Sequence, residues 1–176
     1  MRVIEASDAD LGAVLAVSRA AFGGEDVPAL VRELLVDPSA RPLLSLVARD
    51  DGPIIGHALF TAARLSTEEA PGSAVILAPL AVIPDAQGRG VGRFLLREGL
   101  RFLRDGGVRL VFLAGHPGYY ARHGFMPAYP QGFTPPFLVS PAEAWMVRSL
   151  EADALGSTGG VVACATAMDK AEHWRE

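Results

Sequence analysis

The sequence predicts a mixed α/β fold: a largely antiparallel central sheet, helices on both faces, and one parallel β–α–β unit. Three observations carry this. "PLLSLVARDDGPIIGHALFTAARL" (42–65) reads as two apolar runs around an Asp-Asp-Gly-Pro turn, which is a hairpin. "SAVILAPLAVIP" and "VRLVFLA" flank the best helical segment of the chain, "VGRFLLREGLRFLRDGG", and so form a strand–helix–strand crossover. Two further helical segments precede the hairpin, so the sheet has elements for both faces.

The elements follow in order. "RVIEAS" (2–7) reads as a first strand. "SDADLGAVLAVSRAAFG" (7–23) reads as a helix, with Ser7 suited to the N-cap and Leu11, Val14, Leu15 and Ser18 at helical spacing. A second helix is expected over "VPALVRELLVD" (27–37), with Pro28 in its first turn and Leu30, Leu34 and Leu35 on one face. The hairpin and a third long strand (73–84) come next. The helix from Val91 is stopped by Gly106 and Gly107. "VRLVFLA" (108–114) is a short buried strand, and "PGYYARHGF" (117–125) a brief helical turn opened by Pro117. A proline-rich stretch then leads to a final strand, "GVVACATAM" (160–168), with one or two strands expected after the helical turn.

Composition narrows the classes. The chain has 176 residues, half of them hydrophobic and 20% charged, enough for one domain with a sizeable core. A net charge of −4 argues against a generic nucleic-acid binder. Cys164 is the single cysteine, so there is no disulfide framework or cysteine-rich zinc site. The four histidines lack metal-ligand spacing, so no metal is expected. "MRVIEASDADLG" lacks the apolar core of a signal peptide, and the longest apolar run, 74–84, is too short to span a bilayer. A soluble, cytoplasmic protein with no membrane partner is expected.

"LAVIPDAQGRGVGRFLL" (80–96) carries the chemistry. Its glycines, Gly88, Gly90 and Gly92, sit between a strand and a helix. Amides without intrahelical partners and the positive end of the helix dipole point outward there, which makes an anion site suited to phosphate. Arg93-Phe94 stands where a P-loop needs Lys-Ser or Lys-Thr, and Arg93 breaks the dinucleotide G-x-G-x-x-G pattern. What remains is Gln87-x-x-Gly90-x-Gly92. Pro79, inside the strand before it, cannot donate a ladder bond. A bulge is expected there, leaving backbone groups of Leu80, Ala81 and Val82 for an extended ligand.

This segment resembles the acyl-CoA-binding motif of the GNAT superfamily of N-acetyltransferases. "PLAV" before the turn and "YYARHGF" about thirty residues later, a Y-x-x-x-G-F pattern, strengthen the resemblance, as does the element order over 1–126. Residues 127–176 resemble a bacterial acetyltransferase branch more loosely and are read as the substrate side of the same domain. The resemblance implies that Gln87, Gly88, Arg89, Gly90, Val91 and Gly92 hold the pyrophosphate of acetyl-CoA, and that Leu80, Ala81 and Val82 pair with its pantetheine amides. It implies transfer of the acetyl group to the amine of a small molecule or peptide, by direct attack in a ternary complex. Tyr120, four residues before Gly124, matches the family tyrosine that protonates the departing thiolate. A homodimer is compatible with this reading.

Other side chains divide between chemistry and packing. His116, at the end of the last parallel strand, could take the ammonium proton directly or through water. Tyr119 reads as packing, His57 as a hydrogen-bonded strand residue, and His123 as exposed or capping. The strand "AVILAPLAV" lacks the glutamate base of some family members, and "VFLAGHPGYY" lacks the asparagine of many. Glu68 and Glu69 are alternatives as base, against a solvated loop. Arg93, Arg97, Arg101 and Arg104 share a helix face, with Arg93 near enough to the turn for a phosphate. Tyr129, Phe133, Phe137 and Trp145 form either an acceptor wall or ordinary packing. The missing glutamate leaves a second class open, a non-catalytic acyl-CoA-binding regulator.

Overall fold

Alternation along the strands sets which face each residue covers. In the computed structural model, which describes residues 1–67, 72–156 and 159–175, the hairpin strands are β2 (Leu44–Arg49) and β3 (Ile54–Leu65). β1 (Arg2–Glu5) lies outside β2, and β4 (Ala74–Val82) inside β3. β5 (Leu110–Ala114) follows β4 as its parallel neighbour, reached through α3 (Val91–Asp105). The main sheet runs β1-β2-β3-β4-β5 and continues into two strands of the C-terminal third, as expected mixed with one β–α–β unit.

α1 (Leu11–Phe22) and α2 (Asp26–Val36) cover one face, and α3 covers the other. Val47, Leu59 and Phe112 point into the α1/α2 core, while their neighbours Leu46, Phe60 and Val111 point into the α3 core. On α1, Val14, Leu15, Val17 and Ser18 are buried; Leu11, expected on that face, is exposed because the helix begins at it. Ser7 opens a short 3₁₀ turn ahead of the helix, its amide donating to the Asp10 carboxylate at 2.9 Å.

α3 packs closely because it carries a glycine where it crosses β3. A Cβ on Gly99 would stand 2.6 Å from the Phe60 ring. Gly99→Leu should therefore destabilise the fold by about 1–3 kcal/mol, the usual cost of overpacking. A urea midpoint equal to wild type would contradict the close approach.

Two segments differ from the sequence reading. The C-terminal third adds four strands: β6 (Met126–Pro127), β7 (Phe133–Thr134), β8 (Trp145–Ser149) and β9 (Gly160–Ala163). β8 is inserted antiparallel along β5, with Phe112 opposite Val147. Its five residues follow a proline-rich stretch and show too little periodicity to be read as a strand. β9 pairs with the end of β3 and stops at Ala163, short of the expected Met168. The amides of Thr166 and Ala167 are taken instead by the Ser39 hydroxyl (2.8 Å) and the Asp37 carboxylate (2.9 Å). Of the two readings left open for Phe133 and Trp145, packing is the one observed: both are core residues. Trp145 stacks on Phe112 with ring centres 5.2 Å apart and donates its indole N–H to the Phe133 carbonyl.

His57 is buried in β3, as a hydrogen-bonded strand residue, with Nε2 2.8 Å from the Ser45 hydroxyl. Burial lowers its pKa from 6.5 to about 4. The unfolded chain then binds the extra proton first. Stability from this group is complete above pH 6.5 and falls as the pH drops toward 4, by about 3 kcal/mol in all. His57→Gln should flatten the pH dependence of the urea midpoint over that window. An unchanged slope would remove His57 as its source.

Candidate active site

β4 and β5 pair only at their beginnings, Ala74 with Leu110, Val75 with Val111 and Ile76 with Phe112. Past that point β5 keeps only its other neighbour, β8, which flanks it from Leu110 to Ala114, while β4 continues along β3 to Val82. Ala58 faces Leu80 and Phe60 faces Leu77, so Ala78 and Pro79 stand against Leu59 alone. That is the bulge expected from a proline that cannot donate to a ladder. A gap opens between two parallel strands at their C-terminal ends, where ligands collect in such sheets.

The backbone of β4 alternates across this gap. The Ile83 amide donates to the Ile55 carbonyl of β3 at 3.0 Å. Residue 81 therefore also turns to β3, and Leu80 and Val82 turn their amides and carbonyls toward the gap. Leu80 and Val82 line the cleft. Ala81, which the sequence reading grouped with them, is turned into the β3 ladder and buried at 1% exposure. The Val82 carbonyl accepts from the Gln87 side chain at 3.1 Å, so Gln87 fixes the turn to the strand end.

The glycine turn closes the cleft's other side. Gly88 and Gly90 have φ of +74° and +81°, the left-handed region that a side chain disfavours, and a Cβ on either would meet open space. Gly90 is the N-cap of α3, and its carbonyl accepts from the Phe94 amide. Among the described residues, no backbone carbonyl accepts from the amides of Gly88 through Arg93. Of these residues, Gly88 and Gly90 to Arg93 line the cleft at a helix N-terminus. Gly92 has a different reason: a Cβ there would stand 2.9 Å from the Tyr119 hydroxyl. Arg89 points away from the cleft and pairs with Asp50 at 2.7 Å, so it is not among the cleft-lining residues.

α4 (Pro117–Tyr120), after β5, supplies the third wall. His116 caps it, its carbonyl accepting from the amides of Tyr119 and Tyr120, and its exposed side chain lines the cleft. Tyr120 packs edge-on against Tyr119 (4.9 Å) and Phe125 (5.8 Å), its ring lying against Gly115. Burial, and then the neighbouring Tyr119, push the Tyr120 phenol well above the usual tyrosine range, so it stays protonated. A Cβ on Gly115 would fall 2.5 Å from that ring. Gly115→Ala should displace Tyr120 and lower any activity that needs it, with the melting temperature nearly unchanged. Unaltered turnover would mean that the ring position is not critical. His123, read as exposed or capping, is instead half-buried against Tyr119, ring centres 4.9 Å apart.

The cleft encloses about 820 Å³. Phe22, Val27, Leu30 and His173 also line it, and the sequence reading missed all four. Leu30 is buried in the α1/α2 core, on the face expected of it, and borders the cleft from there; nothing in the chain marks His173. Arg93 and Tyr119 form a rim shared with a second groove of about 870 Å³. Arg97, Arg101, Arg104, Arg122 and Arg148 line that groove, and the α3 arginines among them stay largely exposed to solvent, Arg101 pairing with Glu98 at 2.6 Å. Glu68 and Glu69 lie outside the described residues. Cys164 has its thiol pushed up to about 12, first by burial and then by Asp169, so it is a poor nucleophile. Among the described residues, no cluster of three His, Cys, Asp or Glu side chains is placed to hold a metal ion, and no helix is long and apolar enough to cross a membrane.

Comparison with known proteins agrees with this geometry. Residues 2–128 match the model of the acetyltransferase (GNAT) domain. The chain is 45% identical over 156 residues to N-acetyltransferase YjhQ of Escherichia coli (strain K12), covering 86% of each. Its fold superposes on a GNAT family N-acetyltransferase (YhbS) from Escherichia coli in complex with CoA, with a TM-score of 0.86 and 28% identity over 96% of this chain and 92% of that one. A GNAT family acetyltransferase from Brucella melitensis in complex with acetyl-CoA gives a TM-score of 0.76 and 29% identity, over 96% and 97%. The splayed strands, the free-amide helix start and the tyrosine beside them thus sit in a chain that belongs to the GNAT family, an acyltransferase that uses acetyl-CoA.

Proposed function

We propose that the protein moves the acetyl group of acetyl-CoA to a primary amine by direct attack within a ternary complex. The observation that carries this is the parting of β4 from β5 after Ile76 and Phe112, with the amides of Gly88 and of Gly90 to Arg93, free of backbone partners, on the same cleft. The residues fit the thioester's shape and charge. Gln87 and the amides of Gly88, Gly90, Val91 and Gly92 take the pyrophosphate, and the open space at Gly88 and Gly90 lets it approach. Leu80 and Val82 offer backbone pairing to the pantetheine arm. Arg93 and the groove behind it suit the phosphorylated adenosine end. Residues 127–176 complete the same unit by adding β8 to β5.

The chemistry follows from what faces the cleft. His116 takes a proton from the acceptor ammonium, directly or through water. The free amine attacks the thioester carbonyl, forming the C–N bond. The Val82 amide, turned toward the gap, stabilises the oxyanion. As the C–S bond breaks, the attacking nitrogen loses its remaining extra proton to water, Tyr120 gives its proton to the sulfur, and the phenolate is reprotonated from solvent. No side chain is acylated. Bisubstrate initial-rate kinetics test this reading: lines should intersect, whereas parallel lines would indicate a covalent acetyl-enzyme.

The arginine rim makes a further expectation. Arg93→Ala and Arg122→Ala should each weaken acetyl-CoA binding by about tenfold at low salt, a charge-assisted hydrogen bond being worth about 1.5–3 kcal/mol. The difference should shrink as salt is raised. Equal affinities for variants and wild type by calorimetry would place the nucleotide elsewhere.

A further inference from the structure

The cleft has a wall that the transfer chemistry does not use. Phe22 ends α1, Val27 and Leu30 lie in the first turns of α2, and His173 comes from the C-terminal turn. Phe22 is 50% exposed, an aromatic ring left open at the cleft. An exposed apolar surface of this kind, inside a formed cleft, is a contact surface for a ligand.

His173 is held there by its neighbours. Trp174 is buried edge-on against Trp145 at 5.9 Å, and its indole N–H donates to the Met168 carbonyl at 3.1 Å. Lys170 meets Glu33 of α2 at 3.8 Å, and the His173 amide donates to the Lys170 carbonyl at 3.1 Å. The preceding residues are tied to Asp37 and Ser39, as described above. The tail is thus fastened on both sides of His173, and its imidazole is presented on a fixed backbone. Glu172 is 3.9 Å from Nε2, beyond hydrogen-bond distance.

The charge of the cleft selects among amines. Among the described residues lining it, none is Asp or Glu, and Arg93 is the one residue with a fixed charge. Glu25, at the corner between α1 and α2, is held through both oxygens by the Arg19 guanidinium. A polycationic acceptor finds no carboxylate among these lining residues; Glu172, 3.9 Å from His173 Nε2, stands outside them. An amine on an uncharged apolar body finds Phe22, Val27 and Leu30 to bury it, and an imidazole to hydrogen-bond a polar group beside it.

We propose that Phe22, Val27, Leu30 and His173 form the acceptor subsite, that the acceptor is a single primary amine on an apolar body, and that His173 is a specificity-determining contact. This rests on the transfer reading above. Two sources share that chemistry, a free arylalkylamine and the N-terminal residue of a peptide with an apolar side chain.

The test uses the full chain with acetyl-CoA and four acceptors: phenethylamine, a phenylalanine-initiated peptide, spermidine and kanamycin. One or both of the first two should exceed the last two in kcat/KM by at least about tenfold, and which of them leads identifies the source. His173→Ala should raise the acceptor KM about tenfold with the acetyl-CoA KM unchanged, and His173→Gln should restore part of the loss. Val27→Glu, on a half-buried side chain, should weaken the apolar acceptor and raise turnover of spermidine. Higher kcat/KM for spermidine or kanamycin in wild type, or acceptor KM values unmoved in both variants, overturns the proposal. Calorimetry of the same amines against the CoA-loaded chain separates the two readings. Selective binding lost in Val27→Glu, without turnover, leaves the subsite standing and refutes transfer; no selective binding refutes the subsite.

Discussion

Tyr120→Phe should lower kcat by roughly 10²–10⁴, the range expected when a positioned general acid is removed. The phenol is kept protonated by burial, so at neutral pH it always holds the proton the departing sulfur needs. The change removes one hydroxyl and leaves the ring against Gly115, Tyr119 and Phe125. Acetyl-CoA affinity and melting temperature should therefore barely move. The alkaline limb of the wild-type kcat profile should also lack a tyrosine ionisation below pH 10, since the folded phenol titrates above its ordinary value. Steady-state rates with the chemical step limiting provide the check. Wild-type turnover in the variant would return Tyr120 to packing.

Gly90→Val should raise the acetyl-CoA dissociation constant by about 10- to 100-fold. Two effects add. At φ +81° a β-branched residue is strained by about 1–3 kcal/mol, which distorts the start of α3. The new side chain also occupies the open space in front of the turn's amides and costs one or two hydrogen bonds to an anion, each about 1.5–3 kcal/mol. Calorimetry measures the affinity, and a circular dichroism melt shows that the fold survives. Unchanged affinity would mean that the pyrophosphate does not meet this turn.

The parts of the site built from backbone were legible in the sequence; much of the acceptor wall was not. Gly88, Gly90 and Pro79 are local signals, because a left-handed turn and a missing amide have few substitutes. They located the helix start and the bulge. The step from Gly88 to Gly92 did not disclose that Gly92 answers to the Tyr119 hydroxyl, a contact between segments far apart in sequence. Ala81 was grouped with Leu80 and Val82 because a run of residues hides the alternation that turns it to β3. Arg89 lay inside the motif yet pairs with Asp50, a partner no local pattern could supply. His173 depends on Trp174 reaching Trp145 and on Lys170 reaching Glu33, both long-range contacts. β8 was missed because its burial comes from pairing with β5 rather than from its own periodicity.

Mass spectrometry of a single-turnover mixture tests the central claim most directly. The protein, in excess over acetyl-CoA, is sampled before and after an acceptor amine is added. Direct attack predicts an unmodified chain at every time, intact thioester until the amine arrives, and then free CoA and acetylated amine in equal amounts. An acetyl group found on the protein before the amine is added, or a thioester that stays intact with every amine from pH 6 to 9 while acetyl-CoA remains bound, would contradict it.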